Sequence, residues 1–193
     1  MECFSGLSAK QASLLEFEEL NLGPVTASLV VAATGSAIGQ HGTSRGIGNE
    51  TDLELLKWLR SRSQIVLTSG LTARLEDYRM PLSADLAILS RQGHPRPKGN
   101  LEAKFLELGE LDSYGAAIHA LSERGYSLIH TEFGPSGFVE LVGTGTADGV
   151  VSSMERSGVK AFAANHDFAI QRMISVAGLW IGVLEGVARS DKA

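Results

Sequence analysis

The chain has 193 residues, 44% of them hydrophobic, and 22 acidic side chains outnumber 17 basic ones to give a net charge of −5. This length suits one domain with a substantial core, and the composition excludes a wholly disordered chain. The negative charge argues against a protein that binds nucleic acid through phosphate contacts, and the single cysteine, Cys3, excludes a disulfide scaffold and a cysteine-rich zinc site.

The sequence carries no pattern of export or membrane insertion. Residues 1–20 lack the basic and apolar regions of a signal peptide. The most apolar stretch, 173–187, is interrupted by serine, glutamate and glycine and is shorter than the ~20 apolar residues of a spanning helix. The histidines show no ligand spacing, so no metal site is expected. We therefore expect a soluble cytoplasmic protein with one domain over residues 1–193, in which residues 1–23 form a helical N-terminal extension.

The hydrophobic pattern alternates between strands and helices along the chain. Apolar runs predict strands over residues 25–33, 64–68, 85–90, 126–131 and 147–153, with further strands near 159–164 and 173–185. Helical spacing predicts helices over residues 9–20, 51–62, 113–124, a short one from about 72 and another from 135. Thr51 and Glu54 form a capping-box pattern, and Gly134-Pro135 suits a helix N-terminus. The alternation predicts an α/β fold in which helices flank a mixed central β-sheet with an antiparallel edge.

Two glycine-containing turns, at residues 66–72 and 129–135, join a buried strand to the start of a helix. In open α/β sheets, ligands bind beyond the carboxyl ends of the strands, and helix N-termini offer N–H groups suited to phosphate. Two such turns could hold a pyrophosphate, while Ser90 and Arg91 at the next strand end could hold a phosphate monoester. Each feature also occurs as an ordinary turn or strand end, and neither turn matches the common nucleotide-binding fingerprints.

Four segments in this order resemble the reductase domain of riboflavin biosynthesis, the pyrimidine reductases that share the dihydrofolate reductase fold. Residues 51–78 are similar to the family's helix, strand and turn, with Asp52, the pair Leu59-Arg60 and the series Thr72-x-Arg74-x-Glu76-x-Tyr78. Residues 85–91 look like the family's next strand, which ends in Ser-Arg. Residues 127–153 look like its Glu-Gly-Gly-Pro turn with the helix and strand that follow, and residues 25–39 look like its first strand and loop.

The resemblance implies an NADPH-dependent reductase that acts as a homodimer on an aminopyrimidine ribosyl phosphate. It implies that Ser90 and Arg91 face the 2′-phosphate of the cofactor. The whole set of cofactor-binding residues implied in this way is Ser69, Gly70, Thr72, Arg74, Ser90, Arg91, Glu132, Gly134 and Pro135. Substrate contacts are expected from the loop after the first strand, at Thr34, Ser36, Ser44 and Arg45, and His41 is the group of that loop that titrates near neutral pH.

Two departures from the family pattern concern the substrate and the cofactor. Where the family has Ser-x-Asp-Gly, this chain has Ala33-Thr34-Gly35-Ser36, so the acid near the substrate is missing, and the loop as far as Gly48 has no carboxylate. In the second turn Phe133 replaces a glycine, and its side chain could narrow or block the site. A second hypothesis is therefore a non-catalytic member that binds a nucleotide or a protein partner. A third is a structural subunit that assembles through the strand at 173–187.

Overall fold

The structure, a computed structural model, describes residues 9–39, 44 and 46–187. Its helices are α1 (Ala9–Glu18), α2 (Glu50–Ser61), α3 (Gly70–Leu75), α4 (Tyr114–Glu123), α5 (Pro135–Gly143) and α6 (Arg156–Asn165). Its strands are β1 (Val25–Val30), β2 (Ile65–Ser69), β3 (Asp85–Leu89), β4 (Phe105–Leu108), β5 (Ile129–Glu132), β6 (Asp148–Ser153), β7 (Phe168–Val176) and β8 (Leu179–Gly186). No helix in these residues has the length and apolar character to cross a membrane.

The strands form one sheet in the order β4-β3-β2-β5-β1-β6-β8-β7. Strands β1 to β6 pair in parallel, whereas β8 runs antiparallel to both β6 and β7. The predicted mixed sheet with an antiparallel edge is therefore confirmed. Because β2 lies between β3 and β5, the turns that follow β2 and β5 are neighbours at the carboxyl edge of the sheet.

Helices cover both faces of the sheet. On one face α4, α5 and α6 bury the main core, where the rings of Phe138 and Phe162 meet edge to face with centroids 5.5 Å apart. On the other face α1 and α2 pack over β6 and β8, and the rings of Phe17 and Trp58 lie 5.6 Å apart. The indole Nε1 of Trp58 donates a hydrogen bond to Glu18 Oε1 at 3.1 Å. Helix α1 therefore packs against α2 through both apolar and polar contacts.

Three local predictions were wrong. Residues 159–164, expected as a strand, belong to α6, because Val159, Phe162 and Ala163 are spaced as one helical face and are all buried. The single strand expected near 173–185 is a hairpin, β7 and β8, whose turn at Ala177-Gly178 has positive φ at both residues. Helix α2 is capped by Asn49, whose side chain accepts from the N–H of residue 52 at 2.9 Å, rather than by the predicted capping box, which would begin two residues later at Thr51.

Candidate functional site

A cavity of about 1020 Å³ opens at the carboxyl ends of the parallel strands. Its wall is formed by α2, the β2–α3 turn, the segment that follows α3, the end of β3, the β5–α5 turn, and the carboxyl halves of β1 and β6. Small-molecule sites usually enclose about 300–1,000 Å³, so this cavity is large enough for a dinucleotide. It lies where the sequence predicts a ligand, at both glycine-containing turns.

The β2–α3 turn is held by two hydroxyl groups. Ser69 is the N-cap of α3, and its Oγ accepts a hydrogen bond from the N–H of Thr72 at 3.0 Å and lies 2.9 Å from Thr72 Oγ1. Thr72 Oγ1 in turn donates to the carbonyl oxygen of Phe133 at 3.2 Å. This hydrogen bond joins the β2–α3 turn to the β5–α5 turn, so that the two predicted turns form one continuous part of the cavity wall.

The β5–α5 turn lines the cavity and has no side chain at its N-cap, Gly134. Gly134, the N-cap of α5, has φ +81° and makes no side-chain cap, and Pro135 follows as the first helical residue, as predicted. The Phe133 side chain is buried, although the residue is also part of the cavity wall. Its ring is buried against Tyr114, with centroids 4.4 Å apart, and belongs to the main core. Room for the ring exists because residue 137 is glycine, where a Cβ would collide with Phe133.

The end of β3 brings Ser90 and Arg91 to the cavity wall. Ser90 is buried and its Oγ donates to the carbonyl of Gly93 at 3.0 Å. The exposed Arg91 side chain forms an ion pair with Glu110, with Nε and Oε1 2.8 Å apart. Arg74 lies on the same wall with an exposed side chain. A phosphate at this end would share Arg91 with a carboxylate, which the sequence did not predict.

One of the predicted substrate-binding residues lines the cavity in the structure and others do not. Thr34 and Ser36 are exposed and lie outside the cavity wall, where Ser36 Oγ donates to the carbonyl of Ile38 at 3.1 Å. Ser44 lines the cavity, and its N–H and Oγ donate to Glu76 Oε1 at 2.9 and 3.0 Å. Arg45 and His41, the other two groups of that loop, lie outside the described residues.

An ionised carboxylate, Glu132, forms the centre of a buried polar cluster at the end of β5. Arg60 donates to both of its oxygens, from Nε to Oε1 and from Nη2 to Oε2, each at 2.8 Å. The Tyr78 hydroxyl donates to Oε2 at 2.7 Å. Burial opposes ionisation of Glu132, but the charge and hydrogen bonds of Arg60 outweigh it and lower the pKa of Glu132. Burial and the Glu132 charge raise the pKa of Tyr78, which therefore remains a neutral phenol.

His130 lies beneath this cluster and is completely buried. Its Nδ1 is 2.9 Å from Thr26 Oγ1, its Nε2 is 3.1 Å from Ser28 Oγ, and Glu132 Oε1 is 3.5 Å from Nε2. Burial lowers the pKa of His130 to about 4, even though the charge of Glu132 acts in the opposite direction. The ring is therefore neutral near pH 7, and His130 is a core histidine.

Asp52, which the sequence analysis names as part of the family pattern but gives no role at the site, also lines the cavity. Its Oδ1 accepts a hydrogen bond from Ser152 Oγ of β6 at 2.5 Å. The loop after β1 supplies no carboxylate as far as Gly48, whereas this carboxyl group comes from the first turn of α2. The signal was present in the sequence, since Asp52 follows the glycine-rich loop and stands three residues after the cap Asn49.

No protein-family model matches the sequence, and a search of curated protein sequences finds no match. Solved structures do match. A pyrimidine reductase-like protein from Corynebacterium diphtheriae superposes with a TM-score of 0.63 at 17% identity, over 94% of this chain and 99% of that one. The riboflavin biosynthesis reductase of Saccharomyces cerevisiae gives 0.57 at 11% identity, over 84% and 90%.

A third structure is a diaminohydroxyphosphoribosylaminopyrimidine deaminase/5-amino-6-(5-phosphoribosylamino)uracil reductase from Thermotoga maritima. It gives a TM-score of 0.57 at 12% identity over 92% of this chain, which spans 60% of that longer protein. The resemblance read from the sequence motifs is thus confirmed in three dimensions. The chain has the fold of the pyrimidine reductases of riboflavin biosynthesis.

Proposed function

We propose that the protein is a reductase that binds NADPH across the β2–α3 and β5–α5 turns and reduces a carbonyl or imine of a pyrimidine ribosyl phosphate or a similar small molecule. The observation that carries this proposal is the hydrogen bond from Thr72 Oγ1 to the Phe133 carbonyl, which unites both turns on one wall of a large cavity. The names of the structural neighbours, among them a 5-amino-6-(5-phosphoribosylamino)uracil reductase, support the substrate class.

The residues present fit such a cofactor. The uncapped start of α5 and the absence of a side chain at Gly134 let a phosphate approach the backbone closely. The ring of Phe133 is turned into the core and leaves the turn open. Ser69 and Thr72 offer hydroxyl groups at the first turn, and Arg91 offers a guanidinium at the end of β3. Further contacts on this wall are proposed from Gly70, Arg74, Ser90, Glu132 and Pro135.

When bound, NADPH would supply a hydride, and the protein would orient the reacting groups and exclude water. Because Glu132 is ionised and already accepts three hydrogen bonds, its role is to hold the turn in place rather than to donate a proton. The neutral ring of His130 fixes the spacing of β1 and β5 beneath the cavity floor. Of the predicted substrate contacts, Ser44 lies on the cavity wall. Homodimer formation and a cytoplasmic location stay predictions.

A titration of the purified protein with NADPH and with NADH, followed by nicotinamide fluorescence, tests this proposal. We expect saturable binding with NADPH preferred. Gly134→Val should abolish binding because the side chain enters the proposed phosphate site, while Gly143→Val, at the other end of α5, should leave it unchanged. Circular dichroism would verify that both variants fold. If wild-type protein does not bind either cofactor at millimolar concentration, the reductase proposal is wrong and the non-catalytic hypothesis takes its place.

A further inference from the structure

The two ends of the cavity are built from different strands. The turn residues proposed to hold the cofactor follow β2, β3 and β5, whereas β1 and β6 form the opposite end together with α2. Because neighbouring strands lie about 4.8 Å apart, β6 is about 10 Å from β5 and about 19 Å from β3. The end of the cavity formed by β1, β6 and α2 is therefore free to bind a second ligand, the substrate, beside the cofactor.

Asp52 brings a carboxyl group to this second end. Its backbone N–H donates to Asn49 Oδ1 at 2.9 Å, which fixes the first turn of α2, and its Oδ1 accepts from Ser152 Oγ at 2.5 Å. Its Oδ2 lies against Gly48, where a Cβ would collide with it. The carboxyl group is thus held in one position between the preceding loop and β6, on the surface of the cavity.

The surroundings of Asp52 favour the protonated acid. The adjacent wall is apolar or uncharged, with Leu55 and Leu56 from α2, Val30 from β1 and Val150 from β6. Burial raises the pKa of Asp52, and the hydrogen bond from Ser152 opposes this only in part. Among the described residues, the charged groups that face this part of the cavity from α2, β5 and the α3 region are Arg60, Glu132, Arg74, Glu76, Asp77 and Arg79.

The charge of Arg60 is already matched by Glu132, and Glu76 accepts two hydrogen bonds from Ser44. Strands β1 and β6 present no charged side chain on the wall beside Asp52. Within the part of the chain that the structure describes, the Asp52 carboxyl group is hydrogen-bonded to a hydroxyl and forms no ion pair with a cationic side chain.

We propose that Asp52 donates the proton that completes the reduction and that Ser152 positions its carboxyl group. This inference rests on the proposed function, since it assigns the acid for the same cavity. A general acid next to the reacting group typically contributes about 10²- to 10⁴-fold to the rate. The site so defined takes a substrate whose carbonyl oxygen or imine nitrogen faces α2 and β6.

Bound NADPH would supply a hydride to the substrate carbon and would be oxidised to NADP⁺, and the π electrons of the C=O or C=N bond would move to the heteroatom. That oxygen or nitrogen takes the proton of the Asp52 carboxyl group, so the substrate is reduced by two electrons to an alcohol or an amine. The Asp52 carboxylate then regains a proton from water that enters the open cavity.

The first test does not need turnover. The titration of Asp52 can be followed by ¹³C NMR of labelled aspartate carboxyl groups and assigned by its loss in Asp52→Asn. We expect a pKa above the ordinary value of about 3.9, and a further increase in Ser152→Ala, because that hydroxyl stabilises the charged form. An ordinary pKa that does not respond to Ser152→Ala would overturn the inference.

The second test is single-turnover oxidation of NADPH by 5-amino-6-(5-phosphoribosylamino)uracil across a pH series. Asp52→Asn should slow the reaction about 100-fold or more while the affinity for NADPH is unchanged. The wild-type rate should fall as pH rises through the pKa of Asp52, and Ser152→Ala should move this fall to higher pH. Asp167→Asn, on an exposed turn far from the cavity, is the matched control.

The outcomes separate this inference from the proposed function. If the wild type binds NADPH and reduces the probe but Asp52→Asn does so equally well, the reductase proposal stands and the role of Asp52 is wrong. A loss of folding stability with an unchanged pH profile would assign Asp52 a structural role as a residue of the first helical turn. If the wild type does not reduce the probe, both the substrate class and the proton transfer to it are overturned.

Discussion

Replacing Arg60 with methionine tests the buried cluster that holds the β5–α5 turn. The Glu132 side chain is 11% exposed and the Arg60 side chain is 23% exposed, and the pair shares two hydrogen bonds of 2.8 Å. Removal of one partner from a buried ion pair typically costs about 3–5 kcal/mol, because the remaining charge loses its counter-charge. The cavity beside the pair admits water, which would hydrate part of Glu132, so we expect a loss of about 3 kcal/mol at pH 7.

The free energy of unfolding, from urea titrations followed by far-ultraviolet circular dichroism, measures this loss. Lys57→Met is the matched control, since Lys57 lies on the same helix and pairs with Glu54 at 2.8 Å on the surface. Such exposed pairs contribute about 0–1 kcal/mol. Glu132→Gln added to Arg60→Met should recover a large share of the lost stability, since the uncompensated charge is then absent.

The sign of the pH dependence follows from the pKa of Glu132. In the wild type this pKa is lowered, so the ion pair stabilises the protein above the unfolded-state value of about 4.3 and loses its effect as pH falls through the folded-state value. Without Arg60, burial would raise the pKa of Glu132, and the deficit of the variant should shrink as pH falls and the carboxyl group protonates. A loss no larger than that of Lys57→Met, or a deficit that grows toward acid pH, would refute the reasoning.

His130 has its folded-state pKa lowered to about 4. The neutral ring should therefore contribute about 3 kcal/mol above the unfolded-state pKa of about 6.5, a contribution lost as pH falls to about 4. Urea unfolding of wild type and His130→Gln between pH 7 and 4 measures this contribution, and parallel pH profiles would contradict it. Phe133→Ala should cost about 3 kcal/mol of stability without tightening NADPH binding, because the ring fills the core; tighter binding would restore the idea of a blocked site. Arg91→Ala should weaken the binding of NADPH only about tenfold, because Glu110 already shares the guanidinium. The binding of NADH, which has no 2′-phosphate, should hardly change. Equal losses of affinity for both cofactors in fluorescence titrations would contradict a 2′-phosphate contact.

The order of elements could be predicted because apolar runs and glycine-containing turns are local patterns. A short apolar run has no clear period, which is why the pattern at 159–164 predicts a strand where the structure has α6. The sequence does not predict β4, which is four residues long and lies between polar segments. Strand β4 pairs with β3, where Phe105 lies opposite Leu86, a residue nineteen positions earlier in the chain. Only the folded sheet therefore identifies β4 as a strand. Local propensity cannot supply that information.

The two turns of the site were predictable for the same reason, whereas the contacts around them were not. Arg60, Tyr78 and Glu132 stand 18 and 54 residues apart and meet only because β2 and β5 are neighbours. The direction of the Phe133 ring depends on a glycine four residues later and on an aromatic side chain of α4. Such pairings across the sheet determine which predicted residues reach the cavity, as the exposed positions of Thr34 and Ser36 illustrate.

Helix α2 connects the proposed site of proton transfer to the proposed site of hydride transfer. It carries Asp52 near its start and, eight residues later, Arg60, which is bonded to the strand end of the cofactor turn. At 1.5 Å per residue these two positions are about 12 Å apart along a rigid axis, a little over two helical turns. The helix therefore sets a fixed spacing between the proposed proton donor and the turn proposed to orient the hydride donor. One residue inserted between the two positions would rotate the acid by about 100° off the cavity while Arg60 stayed in place, which would uncouple proton delivery from hydride delivery without removing either group.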